Sequence, residues 1–263
     1  MPLNIQDFPA DPECVGSQWF VLNQDELATL VGTVLIGRAE HAARVLAGTQ
    51  QHVPVQTSAA LKAKLRRQLL PPNGPLTYHR DGLLFEIICW FVAKKKTGPN
   101  EIISDPHLSS TQQGVDTLKL TFDPITRSVT KAVVCEQKCT ENPRAKFRDE
   151  VLPAFREWMI GTRDNQLTQI STGLLSRFAL TDAEYQSAFD TLVQERPLRF
   201  QASLTVAPNP FEKDKCVAVF KDFTSITDPI ENRMGDTFPL LQIRNWFSGF
   251  ANLVWQRIEA SDV

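Results

Sequence analysis

The sequence predicts an α/β protein with a central mixed sheet flanked by helices and preceded by a helical extension. Three observations predict it. Segments of helical period alternate with β-rich runs in the order helix, strands, helix, helix, strands, helix. Two of the runs, residues 115–122 and 128–138, are separated only by a turn at Asp123-Pro124, as in an antiparallel pair. The chain is also 263 residues long and 42% hydrophobic, enough for a sizeable core without metals or disulfides.

The elements follow in order. Residues 1–20 are Pro-rich and acidic and read as an irregular arm. Residues 25–46 carry Leu27, Leu30, Val31, Val34 and Leu35 at helical spacing. Residues 58–70 read as a second helix, with Ser58 as its cap and Pro71-Pro72 as its stop. Its Lys62, Lys64, Arg66 and Arg67 read first as a solvated face. The run Pro71-Pro72-Asn73-Gly74-Pro75 is the strongest punctuation in the chain. It divides an N-terminal extension, residues 1–75, from a domain over residues 76–263.

That domain opens with an apolar helix over residues 80–94, then a short strand at 101–104. Residues 115–122 alternate apolar and polar, and residues 128–138 form the partner strand. Residues 143–160 read as an amphipathic helix, kinked or split at Pro153. Residues 181–195 form another helix, with Thr181 and Glu184 spaced as a capping box. Two further strands are expected at 199–206 and 216–220. A closing helix is expected at 238–260, with Leu241, Trp246, Phe250, Leu253, Val254 and Ile258 as its apolar stripe.

Composition excludes several classes. The net charge of −2 excludes coating of nucleic acid by bulk charge, though not a local basic groove. The five cysteines read as free thiols in a reducing compartment, and Cys135 and Cys139 lack a second pair for zinc. The N-terminal residues lack a basic start and an apolar core, and no apolar run approaches the ~20 residues of a membrane span. A cytoplasmic protein with no membrane association is therefore expected. The sequence has no Gly-rich phosphate loop, no G-x-S-x-G and no H-E-x-x-H. His41, His52, His79 and His107 are scattered. His79 and His107 flank the elements carrying Glu86 and Asp116, but read first as surface or satisfied histidines.

Three residues carry the candidate chemistry. Asp116 stands at the start of one strand, and Glu136 and Lys138 at the end of the next. About one acidic-x-Lys triplet is expected by chance in such a chain, so placement matters more than the letters. Period-two geometry puts Glu136 and Lys138 on one strand face, about 7 Å apart, and the hairpin brings Asp116 beside them. Carboxylates and a lysine ending an apolar strand are costly unless paired or metal-bound. Two carboxylates at one point suit a hard divalent cation, Mg²⁺ first with Mn²⁺ as the alternative, and a nearby lysine can act on the attacking water or stabilise a phosphate. The alternative is a structural ion pair. For Glu86, in the helical run LLFEIICW, the alternatives are a metal ligand or a carboxylate facing solvent or paired with Arg80 or Lys94.

These motifs resemble the PD-(D/E)XK nuclease superfamily. Gly114-Val115-Asp116, the hairpin, and Val134-Cys135-Glu136-Gln137-Lys138 supply its Asp and (D/E)-x-K, with Val115 in the usual place of proline. Glu86 matches the acidic residue that the family usually adds on the preceding helix. The resemblance covers about residues 79–160 and implies a restriction-endonuclease-like core. It implies a metal-dependent endonuclease acting on DNA, with Glu86, Asp116 and Glu136 as ligands and Lys138 as the residue acting on water or phosphate. Lys94, Lys95, Lys96, Lys146 and Arg148, with Arg144, flank the expected site and read either as a solvated face or as contacts to the nucleic-acid backbone. The same order is similar to the HamA-type nuclease subunit of Hachiman anti-phage defence systems, which implies a helicase partner holding the nuclease in check. The alternative from another class is a non-catalytic interaction subunit that keeps the fold as a scaffold.

Overall fold

A computed structural model describes residues 2–8, 12–72, 74–109, 114–207 and 218–260. Within them, seven strands form one mixed sheet: β1 (Leu3–Phe8), β2 (Val15–Val21), β3 (Glu101–Ile103), β4 (Thr117–Phe122), β5 (Val129–Lys138), β6 (Leu198–Val206) and β7 (Arg233–Pro239). Their spatial order is β1-β2-β7-β6-β5-β4-β3. The four central strands, β2, β7, β6 and β5, are mutually parallel. Antiparallel pairs close both sides, β1 on β2 and β3-β4 on β5. The β4–β5 hairpin predicted from the alternating run and its β-rich partner is present, with Thr117 opposite Cys135. Because β4 runs against β5, its first residues lie at the C-terminal end of the parallel strands. Ligands commonly bind at that end of an α/β sheet.

Helices cover both faces, as a buried parallel sheet requires. On one face pack α1 (Gln24–Leu35), α2 (Ala39–Leu46), α3 (Ala59–Leu69), α4 (Pro75–Lys95) and the last helix, α9 (Ile243–Ala260). On the other pack α5 (Pro143–Lys146), α6 (Leu152–Met159), α7 (Asp164–Arg177) and α8 (Asp182–Asp190). β6 shows the division. Leu198, Phe200, Ala202, Leu204 and Val206 join the α5–α8 core, while Gln201, Ser203 and Thr205 alternate with them.

Several expectations need correction. Residues 1–20 are not an irregular arm, since β1 and β2 lie within them and the part before residue 75 is not purely helical. Trp19 of β2 stacks at 4.1 Å on Phe238 of β7, which ties this hairpin to the core. The single helix expected at 25–46 is two, because Gly37 takes a left-handed φ of 89° and ends α1. The closing helix begins at Ile243, and Phe238 belongs to β7. Leu241, assigned to its buried stripe, is exposed. Of the strand expected at 216–220, residues 216 and 217 lie outside the described residues, and 218–220 form a helical turn. The helix α7 and the strand β7 carried no sequence expectation.

Other local signals hold. The Ser58 side chain accepts from the Leu61 N–H. Thr181 and Glu184 form the capping box. Pro153 has no N–H for the Asp149 carbonyl, and the chain widens there into a π turn, Phe147–Val151, joining α5 to α6. The Leu152 N–H reaches back to the Phe147 carbonyl.

Two glycines mark a close approach. Gly16 of β2 and Gly235 of β7 are register partners, and a Cβ on Gly16 would lie 1.8 Å from the Gly235 carbonyl oxygen. Among the described residues, no helix is long and apolar enough to cross a membrane.

Candidate metal centre

The candidate site forms at the C-terminal end of β5. Glu136 and Lys138 share a strand face, and the Lys138 Nζ lies 3.0 Å from Glu136 Oε2. Asp116, just before β4, sits across the hairpin. Its Oδ2 accepts the Gln137 N–H at 2.6 Å and lies 3.8 Å from Lys138 Nζ. The structure thus brings together the three residues singled out by spacing. Burial is high: the Glu136 side chain is 6% exposed, that of Asp116 18% and that of Lys138 27%.

Glu86 is brought to the same place. It lies midway along α4 with its side chain largely buried, so the solvent-facing alternative does not hold. Its partner is neither Arg80 nor Lys94 but His107. The His107 backbone N–H donates to Glu86 Oε1 at 2.9 Å, and the ring Nδ1 lies 3.1 Å from the same oxygen. The loop after β3 that carries His107 is anchored twice. The Trp90 indole donates to the Ser104 carbonyl, and Ser104 Oγ accepts the Leu118 N–H, both at 2.9 Å. One ligand atom each from Glu86, His107 and Asp116 lies within 4.8 Å of the others.

Sequence reasoning set His107 aside as satisfied or surface-lying and missed Arg163 altogether. Arg163 Nη1 lies 3.7 Å from Glu136 Oε1 and its Nη2 2.6 Å from Glu157. Neither residue stands in a local motif. His107 arrives through a loop and Arg163 through the turn after α6.

The basic residues expected around the site are distributed differently. Lys94, Lys95 and Lys96 do not flank it. They end α4 two to three turns past Glu86, roughly 12–15 Å along the helix axis. There Lys94 pairs with Glu40, and Lys96 reaches Ser17 Oγ at 2.7 Å and Asp7 at 3.6 Å. Lys95 lines a groove with Glu40 and Arg44. Lys146 pairs with Glu150, Arg148 with Asp149 and Arg144 with Asp222. Helical i,i+4 and neighbouring acids thus engage the second cluster. Of this cluster Lys146 is tied to the centre, through its partner Glu150, which acts electrostatically on Lys138. His79 is not among the residues that converge here.

Electrostatics reflects crowding of like charge. Burial, opposed by Lys138 and reinforced by the Glu86 carboxylate, raises Asp116 above the usual carboxylate range. Burial and the Asp116 charge likewise raise Glu136 against the pull of Lys138 and Arg163. Burial opposes the Lys138 charge, but Asp116 and Glu136 outweigh it and hold the ammonium protonated. The hydrogen bond to Glu86 raises His107, against its burial. Carboxylates that resist ionisation alone would be relieved by a cation, and oxygen donors at this spacing suit a divalent one. No family model and no curated protein matches the chain.

Proposed function

We propose that the protein is a metal-dependent nuclease hydrolysing phosphodiester bonds of DNA. The observation that carries this reading is the convergence of Asp116, Glu136 and Lys138 at one strand end, with Glu86 reaching the same point. Order along the chain supports it too: the helix with Glu86, the strand started by Asp116, the strand ended by Glu136 and Lys138, then a helix. That is the order in the PD-(D/E)XK superfamily resemblance, and a restriction-endonuclease-like core is part of the proposal. A bound divalent cation would supply Lewis-acid stabilisation and a water of lowered pKa.

The chain's own residues do the rest. Lys138, held charged between two carboxylates, presents its ammonium to the phosphate oxygens or the attacking water. Arg163 stands beside it as a second cation. Lys146, whose partner Glu150 acts on Lys138, would meet the nucleic-acid backbone once substrate displaces that partner, with Arg148 on the same helical segment as a further contact. A helicase-type partner would fit the limited basic surface, and a role in anti-phage defence follows from the HamA-type resemblance.

The test is a cleavage assay with Mg²⁺ or Mn²⁺ on single- and double-stranded DNA and RNA. The wild type should cleave DNA, and Asp116→Ala, Glu136→Ala and Lys138→Ala should each lose most of that activity. Equal cleavage by all three variants would show that the chemistry lies elsewhere. One observation favours a second reading, a non-catalytic scaffold: cations face both oxygens of Glu136. In that case the three substitutions would change stability alone.

A further inference from the structure

We infer that Arg163 is a catalytic residue of this centre, whose guanidinium binds a non-bridging oxygen of the scissile phosphate and stabilises the negative charge that develops there. This role rests on the nuclease reading. It adds a substrate-contacting residue from outside the Asp116, Glu136 and Lys138 motif.

Three observations carry it. The first is how the guanidinium is held. Its Nε and Nη2 both donate to Glu157 Oε2, at 2.7 and 2.6 Å. Its carbon lies 5.7 Å from the centre of the Trp158 ring, within cation–π range. One edge and one face are thus fixed, and Nη1 is turned toward the centre. Nη1 lies 3.7 Å from Glu136 Oε1, beyond hydrogen-bonding distance. A guanidinium placed there for an ion pair with Glu136 would bond that carboxylate directly, often through two nitrogens. The second is the position in the chain. Arg163 is the N-cap of α7, and its side chain makes no capping bond. Ser, Thr, Asp and Asn are favoured at an N-cap, and a cation there opposes the helix dipole. Helix stability therefore does not account for this arginine, and a local rule broken without local gain points to function. The third is the anchoring of the turn. Arg196 donates to the Trp158 carbonyl at 2.6 Å, the Met159 carbonyl at 3.2 Å and Asp164 Oδ1 at 2.9 Å. The chain on both sides of Arg163 is held, so its charge is preorganised, as electrostatic catalysis requires.

The two cations of the centre divide the work. Lys138 meets Glu136 through Oε2 and also faces Asp116, so its charge is shared between two carboxylates. Arg163 meets Glu136 at the other oxygen, Oε1, without bonding it. Attack on a phosphodiester adds negative charge to the non-bridging oxygens, and a preset donor is strongest where that charge appears. A planar guanidinium with one edge on Glu157 can still present Nη1 to a phosphate oxygen, which a lysine ammonium does not reproduce. Glu157 is then a positioning residue.

The experiment uses the intact chain with DNA and MnCl₂. Steady-state cleavage is measured for the wild type, Arg163→Lys, Arg163→Ala, Glu157→Gln and Lys138→Ala, with circular dichroism to confirm folding. Isothermal titration without substrate gives the Mn²⁺ affinity of each. Arg163→Ala and Arg163→Lys should each lose about 10²- to 10³-fold in kcat. Their KM should stay within about threefold of wild type, as for a contact made in the transition state. Glu157→Gln should lose less, because it only positions the arginine. The Mn²⁺ affinity of Arg163→Ala should equal or exceed that of the wild type, since a cation beside Glu136 has been removed. Millimolar guanidinium should restore part of kcat to Arg163→Ala and none to Lys138→Ala. A kcat for Arg163→Ala within about threefold of wild type overturns the role. So does weakened Mn²⁺ binding by Arg163→Ala, which would make the arginine a mere support for Glu136, and so does guanidinium that rescues both variants or neither. Each of these leaves the nuclease reading standing. A wild type that cleaves no DNA overturns both.

Discussion

Replacing Lys138 with methionine removes one positive charge from between two buried carboxylates while keeping an unbranched side chain of similar length. The ammonium lies 3.0 Å from Glu136 and 3.8 Å from Asp116. At an effective dielectric constant of about 20, these separations correspond to gross attractions of about 5.5 and about 4.4 kcal/mol. Much of that is offset, because the lysine no longer needs desolvating and a carboxylate can take up a proton. Breaking a buried pair typically costs about 3–5 kcal/mol net. In a chain of this size, about 3 kcal/mol lowers the melting temperature by roughly 6–12 °C. A divalent cation bound through Asp116 should restore part of the loss, since it replaces the missing charge. A hundredfold excess over the dissociation constant contributes about 2.7 kcal/mol. Differential scanning calorimetry at pH 7, with EDTA and then with MnCl₂, reads both effects. Mn²⁺ should raise the variant's melting temperature by more than it raises the wild type's. A variant melting within about 2 °C of wild type in EDTA would refute the claim that Lys138 neutralises buried charge. Equal Mn²⁺ shifts in the two proteins would refute the coupling between lysine and metal.

Three further outcomes follow from the same structure. Gly16→Ala should destabilise the fold by at least ~3 kcal/mol, because its Cβ would meet a backbone oxygen of β7 that cannot swing aside; urea unfolding within about 1 kcal/mol of wild type would contradict the close approach. Thr181→Ala should cost about 1 kcal/mol by removing one half of the capping box, read from the shift in urea midpoint at constant slope. The metal-free protein should gain stability as pH falls from 8 toward 6. The folded values of His107, Asp116 and Glu136 are all raised, so each contributes stability below its unfolded value and loses it as pH rises through its folded value. For His107 the window opens near its unfolded value of about 6.5 and extends upward. Lys138 is also raised, but its window lies far above neutrality and does not alter this trend. His107→Asn should flatten the pH dependence of the melting temperature, and an unchanged slope would remove His107 from the account.

Several features of this protein are determined by the sequence alone because they depend on local geometry. Glu136 and Lys138 share a face because strand side chains alternate with period two, whatever the surroundings. Asp116 meets them because a short turn at Asp123-Pro124 joins an alternating run to a β-rich apolar run and fixes their pairing. The Thr181 cap, the Ser58 cap and the widened helix before Pro153 follow from backbone groups within five residues. Tertiary structure decided the rest. β2 and β7 pair with each other across most of the chain, and the Gly16–Gly235 contact that permits this pairing is equally long-range. Glu86 is uninformative as a letter in an apolar helix until α4 is laid across the sheet. His107 and Arg163 reach the centre on a loop and a turn whose positions are set by distant hydrogen bonds and packing. Local periodicity therefore fixed the strand-borne half of the site. Long-range packing energies, which no short window of sequence contains, supplied the helix- and loop-borne half that completes the candidate site.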